Sequence, residues 1–131
     1  MHHFSLAAGF ALTSPIVYFL WMNEKVLLII TTAPNDEISE KLAKTLVEQG
    51  LAACVNILPG MRSIYKWNGK LEIGQEQLLM IKAPQSAYIA IEQQIEALHP
   101  YELPEIIAVS IEAGLPAYLD WVRDRVPNES Q

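Results

Sequence analysis

ACVNILPGMRSIYKWNGKLE occupies residues 53–72, and two breaks inside it set the architecture. From Ala52 to Tyr65 the chain is apolar and β-branched enough for one long strand. Pro59-Gly60 interrupts it, because proline donates nothing to a ladder and so marks a bulge, a bend or an edge position. Asn68-Gly69 then lies between two strand-like runs, which is the strongest short hairpin signal. The returning strand runs from Leu71 to Lys82, with an irregularity expected at Gly74.

Working outward from the hairpin, each flank supplies a strand and a helix. On the N-terminal side, Lys25 to Thr32 (KVLLIITT) is a continuous apolar run suited to a central strand. Asn35 and Asp36 offer N-caps for a helix with Ile38, Leu42, Leu46 and Val47 on one stripe. Its other face holds Glu37, Glu40, Lys41, Lys44 and Glu48, including two Glu-to-Lys pairs at i,i+4. Gly50 stands where a C′ glycine belongs. On the C-terminal side, Pro84 to Leu98 repeats the helical period with Tyr88, Ile91, Ile95 and Leu98. Pro100 stops that helix, Ile106 to Ile111 forms a fourth strand, and Pro116 to Val126 a short terminal helix. The order β-α-β-β-α-β plus a helix reads as an α+β, ferredoxin-like split unit with two helices on one face of a four-stranded antiparallel sheet. The uncovered face is apolar, so homo-oligomerisation is expected.

The 131 residues fit one domain, 22–131, and a content of 51% apolar residues is enough for a core without staples. Nine basic against 15 acidic residues, a formal net charge of −6, argue against a nucleic-acid partner, which needs clustered Lys and Arg. Cys54 is the single cysteine. It excludes an intrachain disulfide and a one-chain thiolate cluster, and it fits a reducing, cytoplasmic setting. Its mid-strand position reads as that of a small apolar residue.

Residues 1–21 stand apart, because no Asp, Glu, Lys or Arg occurs before Glu24. The apolar run Phe4 to Trp21 admits three readings: an extension outside the domain, a membrane anchor or signal, and a folded element. It lacks the basic flank of a signal and carries Pro15 mid-run, so a membrane association is not expected.

Four strings together resemble the CutA family: residues 53–72, LLMIK at 78–82, HPYELPE at 99–105 and YLDWV at 118–122. The resemblance covers Met22 to Val126. It implies a tight homotrimer whose long hairpins pair with neighbouring subunits, kinship with the nitrogen-regulatory PII trimers, and divalent-cation tolerance with copper or another divalent cation bound. His99 matches a metal-ligand histidine of the family. An imidazole suits copper and zinc, with Glu102 and Glu105 close enough in sequence to assist. The structural alternative is that His99 caps the second helix and positions the loop. Some bacterial members carry a cysteine where this chain has Thr31 and a second histidine where it has Leu98, so a soft-metal site of that composition is absent.

A second reading places Tyr65, Trp67, Lys82, Tyr101 and Trp121 around an inter-subunit cleft taking a small anion or a partner protein, as a PII-like trimer would. Ordinary interface packing of these aromatics is the alternative. No phosphate loop, GxSxG, HExxH or paired-cysteine loop occurs, and Arg62, Arg123 and Arg125 do not sit in a strand-to-helix phosphate turn. An enzyme is not expected.

Overall fold

In the computed structural model, residues 14–127 are described. Four strands and four helices follow one another as α1 (Pro15–Asn23), β1 (Val26–Ala33), α2 (Asp36–Glu48), β2 (Cys54–Trp67), β3 (Lys70–Pro84), α3 (Tyr88–Leu98), β4 (Ile106–Ser110) and α4 (Pro116–Arg125). A single 3-10 turn, Gln85–Ala87, leads into α3, so the helix expected from Pro84 starts four residues later. The sheet is antiparallel throughout, with order β2-β3-β1-β4.

Side chains alternate across the pleat, and the two faces therefore differ. Leu27, Ile29 and Ala33 of β1 join Leu79, Ile81 and Ala83 of β3 in one cluster with Leu42 and Leu46 of α2 and Ile91 and Ile95 of α3. Each fully buried Leu or Ile contributes about 1.5–3 kcal/mol relative to exposure. Local chemistry agrees with this packing. The Asn35 side chain accepts from the Ile38 N–H at 2.9 Å, Gly50 ends α2 at φ +72°, and Glu40 meets Lys44 at 3.8 Å.

Leu28, Cys54 and Lys82 lie on the other face, by the register of β1, β2 and β3. There α4 packs on β3 and β1, its Val122 fully buried, and Arg123 Nε donates to the Glu24 carbonyl at 2.9 Å. The rest of that face is open. Ile107 and Val109 of the edge strand β4 are 51% and 52% exposed.

The register of β2 on β3 shifts between Leu58 and Met61, where Gly60 takes φ +81°. That is the bulge that Pro59-Gly60 announces. Asn68 and Gly69, at φ 52° and 77°, make the tight turn. Gly74 is no irregularity: it pairs in register with Ser63, because nothing in the ladder there needs an extra residue. Beyond the bulge the hairpin is a bare arm, with Ile64, Leu71 and Ile73 all about two-thirds exposed (66%, 66% and 64%).

Of the N-terminal segment, residues 1–13 lie outside the described residues. Residues 15–23 form α1, started by Pro15 and by Ser14 Oγ accepting from the Val17 N–H at 3.4 Å. Ile16, Phe19 and Leu20 on it are exposed. Among the described residues no helix is long and apolar enough to cross a membrane.

Candidate functional site

His99 follows α3 directly, as its C-cap residue in extended conformation, which turns its side chain back under the end of β1. It is buried. Its Nδ1 accepts the Tyr101 backbone N–H at 3.1 Å, and since an amide can only donate, Nδ1 carries no proton. Nε2, 2.7 Å from the Thr32 carbonyl, is therefore the protonated nitrogen and donates to it. Both ring nitrogens are committed. The imidazole thus positions the His-Pro-Tyr loop against β1, with its ring 4.6 Å from that of Tyr101.

Tyr101 carries the network on to Glu76 of β3. The phenol donates to Glu76 Oε2 at 3.0 Å, Thr32 Oγ1 donates to the same oxygen at 3.1 Å, and Ser63 Oγ donates to Oε1 at 2.5 Å. Two strands and one loop thus converge on one half-buried carboxylate of a third strand. Among the described residues, no Lys, Arg or His lies within 4 Å of it as an ion-pair partner. Desolvation, then the Glu76 hydrogen bond and charge, push the Tyr101 phenol up to about 12, so the hydroxyl stays neutral and donating.

The sequence singles out Tyr101 and His99 but misses Glu76, Ser63 and Thr32. Glu76 lies in a strand among Gln75 and Gln77, and nothing in its neighbours distinguishes it. Its link to Ser63 is diagonal, because Ser63 directly opposes Gly74; only the register across the bulge brings them together.

The remaining residues named from the sequence fall elsewhere. Glu102 and Glu105 are exposed, and it is the backbone carbonyl of Glu105 that is used, accepting from Thr31 Oγ1 at 2.7 Å. Thr31 is fully buried and ties β1 to that loop. Leu98 packs against the core. Among the described residues, no group of three His, Cys, Asp or Glu side chains could hold a metal ion.

The five aromatic and basic cleft residues divide into two groups within the chain. Tyr101 adjoins Glu76, Tyr65 lies opposite Glu72 on the arm, and Trp67 sits further out on it, exposed. Lys82 and Trp121 lie toward α4, where the Lys82 ammonium donates to Asn56 Oδ1 and comes within 4.0 Å of Cys54 Sγ. Tyr118 stacks on Trp121 with centroids 5.7 Å apart. Burial first, then Cys54, raise the Tyr118 phenol above its usual value.

Residues 27–125 match the family model described as CutA1 divalent ion tolerance protein. The divalent-cation tolerance protein CutA of Thermus thermophilus is 48% identical over 101 residues, 77% of this chain and 96% of that protein. The crystal structure of CutA1 from Oryza sativa superposes with a TM-score of 0.79 at 36% identity, covering 82% of this chain and 98% of that one. The structure of the periplasmic divalent cation tolerance protein CutA from Archaeoglobus fulgidus gives 0.76 at 38% identity, over 78% and 99%. With three-quarters of its length aligned at close to half identity, the chain belongs to the CutA1 family of divalent ion tolerance proteins.

Proposed function

We propose that this protein is a homotrimer of ferredoxin-like subunits that binds a divalent metal ion in divalent-cation tolerance, acts in the cytoplasm, and catalyses no reaction of its own. The observation that carries the assembly is the uncovered apolar surface. Ile107 and Val109 on the open face, and Ile64, Leu71 and Ile73 on the arm, are large apolar side chains left half to two-thirds exposed, surfaces that a lone subunit would leave to water. The strand order β2-β3-β1-β4 supports the reading as a split βαβ unit. The cation follows from family membership, since the Thermus relative is named for divalent-cation tolerance. A lone reduced cysteine supports the cytoplasm, whereas the Archaeoglobus relative is named as periplasmic; cell fractionation decides between the two for this chain.

Copper at His99 with Glu102 is the form of this reading that asks most of the structure. The metal has to displace the Tyr101 N–H from Nδ1 and take further donors from neighbouring subunits. Calorimetric titration of the full chain with copper and zinc, beside His99→Ala, tests it. Saturable binding at a fixed ratio per subunit that collapses in the variant supports His99. Copper and zinc binding indifferent to His99 removes it from the site.

Lys82 favours a second reading, a PII-like trimer taking a small anion. It is half-buried, and among the described residues no carboxylate lies within 4 Å of it. That reading expects thermal stabilisation by an anionic metabolite rather than by a metal, and loss of the effect in Lys82→Ala.

A further inference from the structure

We infer that the Glu76 cage is a binding site for a hard, oxygen-seeking divalent cation of the magnesium, manganese or calcium class, distinct from any imidazole site. The inference rests on the cation-binding reading above and gives it a location and a metal class.

Five oxygen atoms meet here. Two belong to Glu76, and the others are Thr32 Oγ1, Ser63 Oγ and the Tyr101 hydroxyl, each within 3.1 Å of a carboxylate oxygen. The described imidazole nearby has both nitrogens engaged, with the Thr32 carbonyl and the Tyr101 N–H, and the sulfur directly opposite Glu76 in the ladder, that of Met61, is a neutral thioether that hard cations disfavour. A donor set made only of oxygen suits hard cations and disfavours copper.

The cage also holds an unbalanced charge. Three hydroxyl dipoles solvate the carboxylate, yet no described basic side chain neutralises it. Glu76 is half-buried, and an ion partly withdrawn from water without a counter-charge carries part of the desolvation cost. Hydroxyls are amphoteric, so each can turn its proton outward and offer a lone pair to an arriving cation without moving its oxygen. The positions are held from behind. Thr32 lies in the core strand and is 5% exposed, the His99 ring fixes the Tyr101 backbone, and Ser63 sits in the β2 ladder. With a single carboxylate, the site is weak compared with a multi-carboxylate calcium loop. It fits an ion sensed or buffered when abundant.

The test uses manganese(II) as the probe, followed by its electron paramagnetic resonance signal on titration into the full-length protein. We expect saturable binding at one ion per Glu76, competed by magnesium, and at least a tenfold loss in Glu76→Gln. Ser63→Ala, which removes one oxygen at a strand position that tolerates alanine, should weaken binding severalfold and covers the case in which Glu76→Gln fails to fold. Glu96→Gln, on the exposed face of α3, should bind as the parent does. No saturable manganese binding, or binding unchanged in both Glu76→Gln and Ser63→Ala, overturns the inference. Copper or zinc binding that collapses in His99→Ala while manganese does not bind leaves the cation-tolerance reading standing and overturns this site alone.

Discussion

At Tyr101 the surroundings act on the phenol in one direction. Desolvation and the Glu76 carboxylate both favour the neutral form, raising its pKa from 10.0 to about 12. Below about pH 10 the folded and unfolded phenols are both protonated and the favourable environment counts in full. Between about 10 and 12 the unfolded phenol ionises while the folded one keeps its proton, so unfolding releases a proton and stability falls as pH rises through that window. Absorbance titration of tyrosine should show one residue ionising late, and Tyr101→Phe should remove that component. Glu76→Gln should lower its pKa only partly, because desolvation remains. His99 acts more through geometry than charge. His99→Ala strands the buried Thr32 carbonyl and takes the acceptor from the Tyr101 N–H, and should cost about 1–3 kcal/mol in urea unfolding even without metal.

Among the elements, the β2–β3 hairpin depends on its turn and its bulge. Gly69 takes φ +77°, and a Cβ built there would touch nothing within 4 Å, so the demand for glycine is conformational and not steric. Gly69→Val should cost roughly 1–2 kcal/mol through the left-handed backbone alone, read as a lowered unfolding midpoint. Asn35 at the start of α2 is a simpler case. Removing its side chain leaves the Ile38 N–H bare, and Asn35→Ala should cost about 1 kcal/mol. The Pro59-Gly60 bulge has a longer reach. It resets the β2 register from Leu58 to Met61, and that offset brings Ser63 to within hydrogen-bonding reach of Glu76.

For the whole molecule, the decisive surface is the one the subunit leaves open. Val109 is 52% exposed on the edge strand, so in a monomer Val109→Glu would be a surface change worth within about 0.5 kcal/mol. If three copies bury that face, the same change places an unpaired carboxylate in an apolar interface. We expect sedimentation velocity to show loss of the trimer with a large fall in thermal midpoint. A variant that sediments and melts as the parent does would rule out an interface at that face.

The sequence by itself determined the elements from β1 onward, their order and the hairpin, though not the helix Pro15–Asn23 or the 3-10 turn before α3. Periodicity in α2 and α3, the cap at Asn35, the Asn68-Gly69 turn and the apolar run of β1 are local signals, and local sterics and burial enforce them. Family membership was legible too, from four strings spread along the chain. His99 could be picked out but not its role, because the sequence lacks the Tyr101 amide and the Thr32 carbonyl as neighbours in space. Glu76 was not legible at all. Its partners come from positions 32, 63 and 101, and only the strand register across a bulge and the turn after α3 gather them around one carboxylate. A site built from single hydroxyls on separate elements leaves no spacing in the sequence, so the tertiary structure alone decided it.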